Sequence, residues 1–494
     1  MTVTYAVGFG NRGFFPPKYM REARQEIPDT LRSLGYDVLL MPENFTQYGA
    51  VGTREEGDLF AQFLGDNVGK HDGIIWTHPN FGDEVGMKRA LADAGKRGEK
   101  ILLHAYPDTL DKMGPEERRD AFCGIVSTMD VLYQMGIPFV KLKPHVVSPS
   151  SPRFADNLAL FTDICQGKTN DPYVPIAPEP TTGGGNFLDG MVVLALGART
   201  TPFYTTRFGE LDAQRNGITV ETADLSLVFD KMKKISRDDR RYKDKAVELA
   251  AYTDWSRVPE RAFDQQVRFA MVMDDYIKEY NPDAIGVRCW TEFQELKGIS
   301  PCATISYLNH KKIPTACEVD IGNAIAMAAM RRISGDVVTC QDWNNNYNEG
   351  PTYDDKFMFM HCGPHDTAWL KPGHYVDTHG ILDHSFGKGR GYGCIQGRFE
   401  SAPMTFASCA SENGRLKFYV GSGNVTDDSV PHNYFGGAGV AEIKGLQDVM
   451  LHVGHGGYKH HFSLGRGDVA GEMIDKLRQH PGFEVTDMRK AADR

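Results

Sequence analysis

The sequence lacks an apolar run long enough to cross a lipid bilayer, for which a helix needs about 20 consecutive apolar residues. The first residues, MTVTYAVGFG, lack the basic region, apolar core and small-residue cleavage site of a signal peptide. An excess of positive charge is also missing, because 55 Lys and Arg residues stand against 65 Asp and Glu residues, a formal net charge of −10. We therefore expect neither a membrane nor a nucleic acid as the main partner.

Paired cysteines are missing as well. The nine cysteines are odd in number, and no two of them have the C-x-x-C spacing. This pattern argues against a disulfide scaffold and against a structural zinc site. Cys317 and Cys340 lie inside apolar runs, which is typical of free buried thiols in a reducing compartment. We expect a cytoplasmic protein.

The chain has material for a large core, with 494 residues of which 41% are hydrophobic and 24% charged. Strand-like and helix-like segments alternate through residues 1–170 and again through 171–350, which predicts two α/β (Rossmann-like) domains with parallel sheets. Residues 351–494 contain short strand-like runs between glycine-rich turns, among them DVMLHVGHG, and predict a β-rich C-terminal domain built as a small barrel or sandwich.

A glycine pattern near the N-terminus resembles a dinucleotide fingerprint. Residues 8–13 follow a predicted strand and read G-x-G-x-x-G. The fingerprint needs a helix to begin at once, but Pro16 and Pro17 intervene, so a structural turn is favoured over NAD binding. Arg12 in this turn is interpreted either as a surface residue or as a side chain that reaches a neighbouring site.

Two acids follow predicted strands in residues 283–343. IPTAC ends at Glu318 and DVVTC ends at Asp342, and an apolar-faced helix lies between them. Read as one parallel β-α-β unit, with strands ~4.8 Å apart, the segment brings both carboxylates to one edge of a sheet. A divalent cation such as Mn²⁺ or Mg²⁺ would remove their repulsion. The alternative is that each acid caps the helix or turn that follows it.

A third ligand is sought in residues 454–468, GHGGYKHHFSLGRGD. This run holds His455, His460 and His461 beside glycine-rich backbone. One imidazole and two carboxylates leave positions open for substrate on a six-coordinate ion. The alternative is that these histidines are polar loop residues.

These motifs resemble the L-fucose isomerase family of ketol isomerases, which is related to the L-arabinose isomerases. The resemblance covers most of the chain and includes EVDIGNAIAM, an acid 24 residues after Glu318, and the tail HHFSLGRGDVAGEMI. It implies a Mn²⁺ site formed by Glu318, Asp342 and His461, with Mg²⁺ or Co²⁺ as alternatives. His461 is chosen over His460 because the residues after it fit the tail better, and His460 stands where the family usually has Asn.

The resemblance also implies a reaction and an assembly. The substrate would be an open-chain sugar, L-fucose-like, D-arabinose-like or a modified hexose carrying an anionic group such as a sulfonate. Glu318 and Asp342 would also move the proton between C1 and C2 through a cis-enediol. The protein would be a homo-oligomer, a hexamer or a trimer-based assembly. Side chains that could contact the sugar are Arg12, Arg288, Trp290, Glu292 and His460.

Other interpretations stay open at this point. Arg288 could instead pair with an acid, and Trp290 could be a core residue. His361 and Cys362 are weaker candidates for lining the pocket. The loop from Lys388 to Arg390 is either a solvated basic loop or a site for an anionic group of the substrate. The alternatives for function are a sugar-binding protein without turnover and a metal-dependent aldolase.

Overall fold

The computed structural model describes residues 2–201, 203–347 and 355–494. The strands are β1 Thr4–Gly10, β2 Asp37–Leu40, β3 Ala50–Val51, β4 Gly73–His78, β5 Ile101–Ala105, β6 Met191–Leu196, β7 Ile218–Ala223, β8 Ala284–Val287, β9 Thr315–Cys317, β10 Val338–Asn346, β11 Lys356–His361, β12 Tyr375–Thr378, β13 Tyr392–Arg398, β14 Ala402–Glu412, β15 Arg415–Val425, β16 Gly437–Glu442, β17 His461–Arg466 and β18 Phe483–Asp487.

The helices alternate with these strands in the first two thirds of the chain. They are α1 Lys18–Ser33, α2 Arg54–Asp66, α3 Glu84–Lys96, α4 Ala121–Gln134, α5 Pro152–Cys165, α6 Glu210–Arg215, α7 Leu225–Lys234, α8 Arg240–Tyr252, α9 Glu260–Tyr280, α10 Glu292–Lys297, α11 Cys302–His310, α12 Ile321–Ser334, α13 Gly380–Phe386, α14 Leu446–His455 and α15 Ala470–Leu477. Within the described ranges, none of these helices is long and apolar enough to cross a membrane.

The first sheet is parallel and has the order β2-β1-β4-β5, with β3 added at the end of β1. The first two glycines of the pattern, Gly8 and Gly10, lie inside β1 and serve packing there. A Cβ atom on Gly8 would lie 2.6 Å from the Trp76 ring, and one on Gly10 would lie 3.3 Å from the same side chain. Trp76 is fully buried, so Gly8 needs to be glycine for side-chain packing, whereas a Cβ at Gly10 would make only a tight contact.

The second sheet is also parallel and has the order β7-β6-β8-β9. The charged stretch of the chain between β7 and β8 forms the three helices α7, α8 and α9. Each of these strands is short and flanked by helices, as the alternating pattern predicts. The prediction of two α/β units is confirmed by these two sheets.

The third sheet contains the C-terminal strands in the order β12-β13-β16-β11-β10-β17-β14-β15-β18. An additional pairing joins β16 to β15, with Val425 opposite Ala441. This pairing closes β11, β10, β17, β14, β15 and β16 into a ring, because each of them then has a neighbour on both sides. The predicted β-rich C-terminal region is confirmed, and it is a barrel, a form without free edges around the ring.

Two expectations about strands are wrong. The last three residues of the predicted strand DVVTC begin β10, which pairs antiparallel with β11 and β17 in the barrel and does not extend the second sheet. An apolar run of this length does not distinguish a parallel from an antiparallel neighbour. Part of the segment assigned to the second domain thus joins the third sheet, and the predicted boundary at 350/351 lies outside the described residues.

The run DVMLHVGHG is the second wrong expectation, because all of it except its last glycine, the C-cap Gly456, lies in α14 rather than in a strand. Leu446, Val449, Met450 and Val453 are buried along this helix. Their spacing of three and four residues matches one face of a helix, and the sequence therefore carried the helical signal.

Candidate metal centre and pocket

Glu318 follows β9 directly, where the second sheet contacts β10 of the barrel. Glu318 and Val319 have φ values of 57° and 55°, in the left-handed region that costs a non-glycine residue about 1–2 kcal/mol. Strain of this kind is concentrated at functional sites. The Glu318 side chain is buried, and its Oε2 atom has no hydrogen-bond partner among the described residues. Burial, followed by nearby Cys289 and Asp342, raises the pKa of Glu318 well above its usual range.

Asp342 lies inside β10 and is paired across the sheet with His461 of β17. Its Oδ1 atom is 3.4 Å from His461 Nε2. This oxygen has no hydrogen-bond partner in the described part of the chain. Burial raises the pKa of Asp342, while His361 and His461 act in the opposite sense. The antiparallel pairing of β10 with β17 places this acid opposite His461. The parallel crossover that was expected to bring Asp342 to Glu318 does not form.

Asp320 holds the ring of His461. His461 Nδ1 lies 3.0 Å from Asp320 Oδ2. Because a carboxylate only accepts, the proton of His461 is assigned to Nδ1, and the lone pair of Nε2 faces Glu318 and Asp342. Burial acts to raise the pKa of Asp320, but Lys459, 3.7 Å away, and His461 lower it below its ordinary value.

His361 faces the same point from β11. Its Nε2 atom lies 3.4 Å from His461 Nε2 and 3.9 Å from Asp342 Oδ1. Its Nδ1 atom accepts a hydrogen bond of 2.8 Å from the backbone N–H of Cys362. This contact assigns the proton of His361 to Nε2, which makes His361 a hydrogen-bond donor toward the site where His461 offers a lone pair.

His460 completes the cluster beside His461. Its Nε2 atom lies 3.7 Å from Glu318 Oε2 and 3.9 Å from Asp342 Oδ1. The ring stacks on Phe203 with 5.9 Å between centroids and meets Phe81 edge-on at 6.1 Å. Burial, followed by the neighbouring His461, lowers the pKa of His460 well below its usual range, which keeps the ring neutral.

The donor atoms of this cluster fit a hard divalent cation. Glu318 Oε2 and Asp342 Oδ1 lie 3.7 Å and 3.4 Å from His461 Nε2. Adjacent ligands around a six-coordinate ion with ~2.1 Å bonds are ~3 Å apart, so small side-chain movements would suffice. Glu318, His460 and His461 form one compact donor set, and Asp342, His361 and His461 form another. The structure thus brings Glu318, Asp342 and His461 together, and their role as ligands stays a prediction.

A cavity of about 70 Å³ adjoins the cluster. Aromatic rings form much of its wall and shield the carboxylates from bulk water. Polar groups from all three sheets or their loops share the same lining. The aromatic members are Phe14, Phe15, Phe81, Phe203, Trp290 and Phe435, and the polar members include Arg12, Arg118, Asp120, Asn344, His361, Cys362, His379 and His460.

Arg12 lies in this wall, so its interpretation as a surface residue is wrong. Its guanidinium carbon is 4.4 Å from the Phe81 ring centroid and 5.0 Å from that of Phe203. Its Nε and Nη2 atoms are buried and have no hydrogen-bond partner within the described ranges. Arg118 also lines the cavity and pairs with Asp120, but its Nη1 atom is likewise unpaired there. Two buried guanidinium groups with unused N–H donors suit an anionic or oxygen-rich ligand.

The remaining predicted contacts divide into two groups. Trp290 lines the cavity, with its ring 5.6 Å from that of Phe203. Arg288 and Glu292 are outside the cavity lining and pair with each other at 2.5 and 2.6 Å. Arg288 therefore pairs with an acid, which was the alternative to a sugar contact. Lys388 is exposed and also lies outside the lining.

Sequence reasoning missed two residues that shape the site. Asp320 lies two residues after Glu318 in EVDIGNAIAM, and an acid so close to a candidate ligand is a signal for a supporting role. Arg118 lies in a loop before α4 and has no local signal, because only the folded chain brings it to the cavity.

Parallel α/β sheets joined to a barrel, with carboxylates and histidines at their junction, define a multidomain α/β protein with a buried polar site. Comparison with known families gives two matches: residues 6–169 match the fucose/sulfoquinovose isomerase N-terminal domain, and residues 360–489 match the L-fucose isomerase C-terminal domain. Together they cover more than half of the chain. The chain belongs to the L-fucose isomerase family, and the predicted resemblance is confirmed.

Curated relatives give the same family assignment. The sulfoquinovose isomerase of Alkalicoccus urumqiensis is 25% identical over 234 residues, 44% of this chain and 48% of that protein. The sulfoquinovose isomerase of Clostridium sp. (strain MSTE9) is 25% identical over 275 residues, 53% of this chain and 57% of that protein. The chain thus spans about half the length of the curated relatives it matches.

Proposed function

We propose that this chain is a metal-dependent aldose–ketose isomerase that acts on an open-chain sugar through a cis-enediol. One observation carries the proposal. Glu318 Oε2 and Asp342 Oδ1 are buried, have no hydrogen-bond partner among the described residues, and face the same His461 Nε2 at 3.7 Å and 3.4 Å. Such oxygens are costly unless a cation or a substrate satisfies them. Membership of the family and the names of the relatives support the reaction class.

Glu318, Asp342 and His461 would hold the ion, for which Mn²⁺ is proposed and Mg²⁺ or Co²⁺ are alternatives. When bound, such an ion polarises the carbonyl and hydroxyl oxygens of the sugar. Asp320 keeps the lone pair of His461 Nε2 directed at this position.

The carboxylates Glu318 and Asp342 would move the proton. One takes the proton from the carbon that bears the hydroxyl group. The electron pair of that C–H bond forms the enediol double bond, and the former carbonyl oxygen takes up a proton. The carboxyl group exchanges its proton with solvent and returns a proton to the former carbonyl carbon, while the hydroxyl group on the other carbon loses its proton and becomes the ketone. The aromatic wall at Phe81, Phe203 and Trp290 limits the access of water to the enediol.

An anionic sugar is the proposed substrate class, a sulfonated hexose in particular. The unpaired N–H groups of Arg12 and Arg118 in the cavity wall support this choice. The relatives named sulfoquinovose isomerase point the same way. A neutral L-fucose-like or D-arabinose-like sugar is the alternative substrate.

The test uses protein dialysed against a chelator and then supplied with Mn²⁺. Sulfoquinovose, L-fucose and D-arabinose are offered in D₂O, and products are identified by NMR. We expect a ketose that has gained deuterium at the carbon that receives the proton, and no product before Mn²⁺ is added. Glu318→Gln should abolish turnover, while the matched control Glu248→Gln, a carboxyl on α8 that pairs with Lys245, should retain it.

Three results would contradict the proposal. A product shorter than the sugar would indicate an aldolase, and sugar binding without any product would indicate a binding protein. Full activity of Glu318→Gln would remove that carboxylate from the mechanism. The hexameric or trimer-based assembly is proposed from the resemblance, and sedimentation velocity measures it directly.

A further inference from the structure

Four of the nine cysteines converge directly behind the candidate metal centre. Cys317 Sγ lies 2.8 Å from Cys289 Sγ, and Cys302 Sγ lies 3.3 Å from Cys362 Sγ. All four are free thiols that are almost completely inaccessible to solvent. They come from segments that are distant along the chain, so the convergence is a property of the fold.

Three of the neighbouring groups are spaced for a single ion. Cys317, Cys362 and His361 offer donor atoms that all lie within 4.8 Å of one another. Cys362 Sγ is 3.3 Å from His361 Nδ1. Around a tetrahedral zinc ion, bonds of about 2.3 Å to sulfur and about 2.0 Å to nitrogen separate sulfur from nitrogen by ~3.5 Å. Binding would replace the hydrogen bond that His361 Nδ1 accepts from the Cys362 amide.

We propose that Cys317, Cys362 and His361 form a second metal site, for a soft thiophilic divalent ion of the zinc or cadmium type. Cys289 or Cys302, each in contact with one of the two thiol ligands, would supply a fourth ligand. Each cysteine that binds loses its thiol proton to solvent and forms one metal–sulfur bond, with no change of oxidation state. Thiolates select such ions, whereas the carboxylates of the neighbouring centre select Mn²⁺ or Mg²⁺.

His361 would lie between the two sites. Its Nε2 atom faces His461 and Asp342, and its Nδ1 atom faces Cys362. Cys362 and His361 both line the cavity, which gives an ion a route to the thiols. Because two dications on opposite sides of one ring repel each other, soft-ion binding should weaken Mn²⁺ binding. This inference rests on the four thiols and His361, and it holds whichever sugar is the substrate.

The test titrates Cd²⁺ into the whole protein already loaded with Mn²⁺. We expect one Cd²⁺ per chain to produce the ultraviolet charge-transfer absorption of cadmium–thiolate bonds, with release of protons. Cd²⁺ at the carboxylate centre would give no such absorption, which separates this site from the proposed catalytic one. Cys317→Ser and Cys362→Ser should weaken Cd²⁺ binding by about tenfold or more. Cys409→Ser, a buried thiol on β14 outside the cluster, should leave it unchanged.

A measurement on the unaltered protein guards against variants that fail to fold. X-ray absorption at the cadmium edge should report at least two sulfur ligands and one nitrogen ligand. Only oxygen and nitrogen ligands, or an unchanged charge-transfer titration in both serine variants, would overturn the proposal.

Discussion

His461 Nδ1 lies 3.0 Å from Asp320 Oδ2, and both side chains are fully buried. The pair joins the barrel strand β17 to the first turn of α12, where Asp320 also accepts a hydrogen bond from the Asn323 amide. The orientation of the candidate ligand is therefore fixed by a residue that does not itself face the cavity. This relationship makes Asp320 a positioning residue.

Asp320→Asn should weaken Mn²⁺ binding by about 10–100-fold while the fold is kept. Asparagine preserves the shape and is an equally good helix N-cap, but it removes the charge that holds His461 Nδ1–H. Titration of Mn²⁺ by electron paramagnetic resonance measures the affinity. The control is Asp336→Asn, whose carboxyl pairs with Arg466, and equal affinities of the two variants would refute the role of Asp320.

His461→Gln and His460→Gln should differ in their response to metal. Saturating Mn²⁺ at about 100 times its Kd stabilises a binding protein by about 2.7 kcal/mol, which thermal unfolding reports as a higher Tm. We expect His461→Gln to lose this increase, because it removes the oriented lone pair, and His460→Gln to keep it. Loss of the Tm increase in His460→Gln alone would show that His460, and not His461, is the metal ligand.

Arg12→Met should lower kcat/KM for a sulfonated sugar by about tenfold or more, because a hydrogen bond to a charged group contributes about 1.5–3 kcal/mol. For a neutral sugar the loss should be smaller. Steady-state kinetics with both sugars gives the comparison, and the exposed Arg215→Met is the control. An equal loss with both sugars would show that Arg12 does not recognise the anionic group.

Lys141→Met should stabilise the protein at neutral pH. Burial lowers the pKa of Lys141 to about 7 from 10.5, so between these values the unfolded chain binds a proton that the folded chain lacks. The Lys141 side chain therefore lowers the free energy of unfolding by about 1.4 kcal/mol for each pH unit as the pH falls from 10.5 to about 7. The gain from methionine should be largest near pH 7 and disappear near pH 10.5.

Urea denaturation at several pH values measures this difference. Lys143→Met provides the control, because Lys143 is 47% exposed and pairs with Asp448. A gain that does not change with pH would contradict the assignment of the effect to the Lys141 proton.

The alternation of apolar runs with helical patterns was sufficient to predict the two parallel sheets. Strands β1, β4, β6 and β8 are short apolar runs with helices between them. It was insufficient for β10, because the partner of a strand depends on contacts far along the chain. Asp342 therefore lies at the site on an antiparallel barrel strand, and not at the end of a parallel strand as predicted.

The candidate site shows the same division. Glu318, Asp342 and His461 could be predicted because each lies in a local motif that resembles a family. Arg12 could not be placed, since its burial depends on Phe81 and Phe203 from other loops. Arg288 and Glu292 lie near the right strand but satisfy each other, which spacing alone does not reveal.

The closed ring of strands has a mechanical consequence. Asp342, His361 and His461 lie on the adjacent strands β10, β11 and β17, whose backbone ladders hold their mutual spacing. Glu318 alone among the four is carried by the other sheet. An ion held by these side chains would therefore link the barrel to the second sheet through Glu318 alone.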